Sequence, residues 1–95
     1  MRITLEGELD LATAPEVEAA LREPVEQERL VLDLRGLTFM DSSGLRLLMG
    51  AQTRATEDDR RLALVRGPDA VHRVLEITHM DERFEIVDDP APLLG

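Results

Sequence analysis

The 95 residues make one small domain, 1–95, with a modest core, and no apolar run approaches the length of a membrane span or forms a signal peptide. Eleven basic against twenty acidic residues give a formal charge of −9, which repels nucleic acid and anionic membrane alike and leaves the cytoplasm as the expected location. With no cysteine, tyrosine or tryptophan and only two histidines, disulfides and thiolate metal sites are excluded and little equipment remains for acid–base chemistry.

In chain order, Met1-Arg2-Ile3-Thr4-Leu5 alternates apolar and polar residues and predicts a half-covered strand, left through Gly7. Thr13-Ala14-Pro15-Glu16 has the form of a capping box with proline near the helix start, and Val17, Ala20 and Leu21 supply a buried stripe. Pro24 ends that helix near Arg22, and an irregular turn leads to Arg29. Leu30-Val31-Leu32-Asp33-Leu34, closed by Arg35-Gly36, predicts a strand covered on both faces.

Next comes Thr38-Phe39-Met40-Asp41-Ser42-Ser43-Gly44-Leu45, where strand gives way to a helix expected over 43–57, with its apolar stripe at Gly44, Leu47, Leu48, Ala51 and Ala55. Gly44 and Gly50 each cost that helix about 1 kcal/mol relative to alanine. Close packing against the sheet is the expected reason for both, and at Gly44 a bare backbone also lets another protein approach. Residues 57–61 form a charged, solvated connection. Leu62-Ala63-Leu64-Val65 is a third strand, closed by Gly67-Pro68. Pro68 and Asp69 open a helix with its stripe at Val71, Val74 and Leu75, which leaves His72 on the surface. Phe84-Glu85-Ile86-Val87 is the last strand, and the tail from Asp88, with Pro90 and Pro92, holds a short helical turn.

Strand, helix, strand, helix, strand, helix, strand predicts an α/β domain with a largely parallel sheet of about four strands and right-handed connections. There is no internal repeat.

Two readings of Asp41-Ser42-Ser43-Gly44 are open on spacing alone. Three N-cap formers in a row can be capping and nothing more. That is the reading spacing alone favours; the other is that a hydroxyl at a helix start is placed to carry a phosphate, because such ends attract anions. A nucleophilic serine would need a base and an oxyanion site. Met40-Asp41-Ser42-Ser43-Gly44 is not the hydrolase elbow, neither His72 nor His79 stands in a context that returns to it, and no glycine-rich phosphate loop is present. The acids lack metal-ligand spacing. No enzyme, cofactor or metal is expected; a serine at this turn is expected to be an acceptor for another enzyme.

The stretch Leu32 to Leu45, with Asp41-Ser42-Ser43-Gly44 inside it, resembles the signature of bacterial anti-sigma factor antagonists, the STAS-domain family. Gly7-Glu8-Leu9-Asp10-Leu11-Ala12-Thr13-Ala14-Pro15 is similar to that family's other segment, in the right order and at the expected distance. The resemblance implies a partner-switching module. Unmodified, it binds an anti-sigma factor that is also an ATP-dependent serine kinase; the kinase phosphorylates it on Ser42 and is released, and a serine phosphatase resets the cycle. ATP belongs to the kinase. The same resemblance implies a docking surface with Asp10, Thr13, Asp41, Ser42, Ser43, Gly44 and Arg46. The structural alternatives are turn formation for Asp10, helix capping for Thr13, where it is favoured, and an ordinary exposed helix arginine for Arg46. Ser43 is mainly a cap or supporting hydroxyl and the second candidate acceptor, and Asp41 either caps the helix or orients Ser42. A phosphorylation-independent STAS scaffold, as in a transport or signalling complex, is the alternative.

Two departures from the family stand out. Its members usually place glycine where His79 stands, so a left-handed His79 would carry roughly 1–2 kcal/mol of strain. They also have one more strand before the one starting at Met1, so an exposed sheet edge and a weak homodimer through it are expected.

Overall fold

The computed structural model describes residues 2–21 and 29–89. The elements are β1 (Arg2–Leu9), α1 (Ala14–Leu21), β2 (Arg29–Met40), α2 (Ser42–Glu57), β3 (Arg61–Val65), α3 (Asp69–Ile77), a 3-10 turn (Met80–Arg83) and β4 (Glu85–Val87). The sheet order is β1-β2-β3-β4 and every pairing is parallel. Strand–helix alternation therefore does what the chain order predicts: each crossover steps one strand along. The expected end of the first helix near Arg22, the turn before Arg29 and the helical turn in the tail lie outside the described residues.

One apolar cluster joins the sheet to the helices, with Leu32, Leu34, Leu62 and Leu64 meeting Leu48, Ala51, Val71 and Leu75. The intervening strand residues Val31, Ala63 and Val65 are also fully buried, so β2 and β3 are covered on both faces as their apolar runs predict.

Both early strands outrun their expected ends. β1 continues to Leu9 through two register irregularities and through Gly7, whose φ of 79° favours glycine. β2 continues to Met40 because Leu37 and Met40 are buried and Gly36, Leu37, Phe39 and Met40 pair with β1. Gly36 does not end the strand. A Cβ there would lie 2.9 Å from the Leu5 carbonyl oxygen, so glycine lets the two strands close up.

Other expectations change with the packing. Ala20 is exposed; Ala14, Val17 and Leu21, half-buried, are the α1 residues against the core. Gly50 does not pack against the sheet, since nothing lies within 4 Å of the position its Cβ would take. His72 is buried rather than on the surface, with Nδ1 unpartnered and Nε2 3.9 Å from the exposed Glu76 carboxylate. Phe84 is buried just before β4. His79 is left-handed at φ 59°, and so is Asp59 at φ 55° in the charged connection.

Asp33 is the charged residue inside the sheet, and the fold answers it locally. Its carboxylate accepts from the Arg35 backbone N–H at 3.0 Å and from the guanidinium at 2.7–3.2 Å. Those bonds hold its pKa below the ordinary carboxylate value. A depressed folded pKa stabilises the fold above the unfolded value of about 3.9, and that stability is lost as pH falls through the folded pKa. Asp33→Asn should therefore cost about 1–2 kcal/mol at pH 7, limited by the half-exposed guanidinium, and flatten the loss of stability below about pH 4. Denaturant unfolding of both proteins at several pH values checks this; an acid limb as steep as that of wild type would contradict it.

Candidate functional site at the ends of β1 and β2

β1 and β2 end side by side. Leu9 pairs with Met40, and the Asp41 N–H donates to the Leu9 carbonyl at 3.3 Å. The chain then turns into α1 on one strand and α2 on the other, which places the two sequence segments of interest at one end of the sheet. Parallel α/β sheets place their binding sites at this carboxyl end.

On the β1 side, Asp10 and Thr13 hold each other. The Asp10 carboxylate accepts from the Ala12 and Thr13 backbone N–H groups at 3.0 and 3.1 Å. In return the Thr13 hydroxyl accepts from the Asp10 N–H at 3.0 Å and donates to the Glu8 carbonyl at 2.7 Å. The Ala14 N–H already bonds the Asp10 carbonyl at 2.8 Å. This is a reciprocal cap one turn earlier than expected: Asp10 caps and Thr13 answers three residues on. Glu16 meets the Thr13 carbonyl through its own N–H at 3.1 Å, so the anticipated Thr13–Glu16 box is displaced. The Thr13 N–H foremost, with its hydroxyl and the Ala12 N–H, keeps the Asp10 pKa low.

On the β2 side, Asp41 is the N-cap of α2. Its backbone is extended, and its carboxylate accepts from the N–H groups of Ser43 at 2.8 Å and Gly44 at 3.3 Å. The open choice for Asp41 thus resolves to capping, and Ser43 does not supply the cap. Ser42 is the first helical residue. It is exposed, and among the described residues its hydroxyl has no hydrogen-bond partner. Gly44 faces inward, against Leu9 and Met40, and so shapes the site from beneath instead of meeting a partner. Arg46 is exposed one turn along α2.

Two large apolar residues close in sequence to these turns, neither marked by the sequence pattern, are exposed. Leu11, at the tip of the Asp10–Thr13 turn, is 77% exposed, and Phe39, three residues before Ser42, is 48% exposed. Neither lies on an apolar stripe. Their only signal is a large apolar side chain placed between cap and turn residues. From Leu11 an open groove of about 590 Å³ runs between α1 and α2, lined by Ala14, Ser43, Arg46, Leu47 and Gly50 among others. Among the described residues no group of three His, Asp or Glu side chains could hold a metal, and no helix is long and apolar enough to cross a membrane.

Comparison with known proteins finds similarity along nearly the whole chain. A family model described as "Mlab, STAS domain" matches residues 1–89. The anti-sigma-B factor antagonist of Listeria monocytogenes is 36% identical over 95 residues, 98% of this chain and 83% of the relative. That of Staphylococcus aureus is 31% identical over 83 residues, 84% of this chain and 76% of the relative. Among solved structures, an anti-sigma factor antagonist from Mycobacterium paratuberculosis superposes with a TM-score of 0.86 at 26% identity, over 98% of this chain and 80% of the other. Unphosphorylated SpoIIAA gives a TM-score of 0.78 at 22% identity over 97% and 83%. The STAS domain of a SulP transporter from Vibrio cholerae gives 0.68 at 20% identity over 90% and 71%. These last two are likenesses of fold.

Proposed function

The chain belongs to the anti-sigma factor antagonist family of STAS domains, and from that premise we propose that it is a partner-switching regulator whose switch is the Ser42 hydroxyl. One observation carries the reading. The Asp41 carboxylate supplies the side-chain cap of α2, which leaves the Ser42 hydroxyl exposed and outside the capping bonds.

Unmodified, the domain docks an anti-sigma factor through the surface around Ser42. Asp10 and Thr13 shape its rim, Leu11 and Phe39 offer apolar area, and Asp41, Ser43 and Arg46 surround the hydroxyl. The docked partner acts as a serine kinase. Ser42 Oγ forms a bond to the γ-phosphorus of ATP held by that kinase, the bond to ADP breaks, and the hydroxyl proton passes to a base of the kinase. The product carries roughly −1.5 to −2 additional charge at neutral pH. A helix N-terminus tolerates that charge, so the fold persists, while a partner over the same spot meets both bulk and repulsion on an acidic domain. A serine phosphatase restores the hydroxyl. The domain itself is a substrate, not an enzyme, and works in the cytoplasm.

Self-association belongs to the same proposal only in weak form. β1 lies at the sheet edge, but it carries Arg2, Glu6 and Glu8 and two register irregularities, all of which oppose strand pairing. Light scattering that returns one subunit's mass at high concentration would remove it.

The likeness to a transporter STAS domain supports a second reading, a scaffold that needs no phosphate. Intact mass after incubation with the cognate kinase and ATP separates the two. Wild type and Ser43→Ala should each gain one phosphate and Ser42→Ala none. An unchanged wild-type mass, where a known antagonist reacts, would favour the scaffold.

A further inference from the structure

We infer that Arg46 is the intramolecular counter-ion of a phosphate on Ser42, so that modification withdraws a cation from the docking surface as well as adding negative charge to it. The inference rests on the reading of Ser42 as acceptor. Ser42 and Arg46 stand four apart on α2, and both are exposed. Helix neighbours at that spacing have Cβ atoms about 5–6 Å apart. Helical side chains lean toward the N-terminus, so a long one at 46 covers the turn that holds Ser42 and Ser43. Arg46 and Ser43 accordingly line the same groove.

The Arg46 guanidinium is uncommitted, as several others of the domain are. Arg35, Arg61 and Arg66 hold Asp33, Glu85 and Asp69, whereas Arg46 makes no ion pair among the described residues. The acids of the site are the alternatives to weigh. Asp41 on its own helix is committed to the N–H groups of Ser43 and Gly44. Asp10 at the end of β1 is committed to Ala12 and Thr13. Glu18 reaches the groove from α1 and has an interaction of its own. A doubly charged phosphate one turn away outweighs these carboxylates, and a guanidinium can grip it with two parallel N–H groups. Before modification Arg46 is available to an acidic side chain of the partner; afterwards it is bound to its own helix.

The test places phosphoserine at 42 during synthesis, without any kinase, and follows the second ionisation of the phosphate by phosphorus NMR. R46Q should raise that pKa by roughly half a unit relative to the Arg46 protein, with R46K between the two, since lysine keeps the charge and loses the fork. The Arg46 Nε–H resonance should also move on phosphorylation. An unchanged or lower pKa in R46Q, or an Nε–H signal indifferent to the phosphate, overturns the inference. Failure of the acceptor reading shows separately, as no gain of mass with the cognate kinase.

Discussion

Gly44→Ala should destabilise the domain by roughly 1–3 kcal/mol, although alanine is the better helix former by about 1 kcal/mol. The added methyl would lie 2.6 Å from Met40 Cγ and 2.9 Å from both Leu9 Cγ and the Leu9 carbonyl oxygen. Met40 can shift its side chain, but the carbonyl is sheet backbone. Relief therefore comes from lifting the start of α2 off the strand ends, which also displaces Ser42. Gly50→Ala is the matched control. It lies in the same helix, meets nothing within 4 Å and should add about 0.5–1 kcal/mol. Denaturant melts of the two variants should shift in opposite directions; shifts of the same sign would contradict this account of the junction.

Ser42→Asp is expected to leave the fold intact and weaken docking of the anti-sigma factor by at least about tenfold. A carboxylate in the first turn of α2 suits the helix dipole, so stability should hold or rise by a few tenths of a kcal/mol. At the interface the same charge joins Asp41 and Asp10 on a domain already at −9. A tenfold loss corresponds to about 1.4 kcal/mol, well within what a like-charge contact costs. Ser42→Asn adds similar bulk without charge and should cost less, and Ser42→Ala should bind like wild type. Titration calorimetry at two salt concentrations reads all three, and binding by Ser42→Asp equal to wild type would contradict the electrostatic part of the switch.

Periodicity made the sheet and its helices legible because the core here is built from plain apolar runs and stripes. Leu30–Leu34 and Leu62–Val65 could be read as buried strands, and the stripe from Gly44 to Ala55 as the buried face of α2. What periodicity could not show is where strands end when polar residues pair beyond the apolar run. Gly36 looked like a stop and is instead where β1 closes on β2. The two helix glycines illustrate the same limit. Both have one sequence-level cost, and only the packing distinguishes Gly44, wedged on Leu9, from Gly50, open to the groove. At the site, residue chemistry pointed to Asp41, Ser42 and Ser43 as a group. The division of labour among them waited on which oxygen meets the Ser43 and Gly44 N–H groups. The Asp10–Thr13 cap was hidden behind a competing box that had equally good residues. Leu11 and Phe39 carry no pattern at all, because an exposed apolar side chain has no partner along the chain to announce it.

The central claim is that a phosphate on Ser42 and docking of the anti-sigma factor exclude each other. Calorimetric titration of the cognate anti-sigma factor with the unmodified protein and with protein carrying authentic phosphoserine at 42 tests it most directly. The account predicts binding weakened by tens of fold or more on phosphorylation, with the melting transition of the domain essentially unmoved. Equal affinities for the two forms would contradict it.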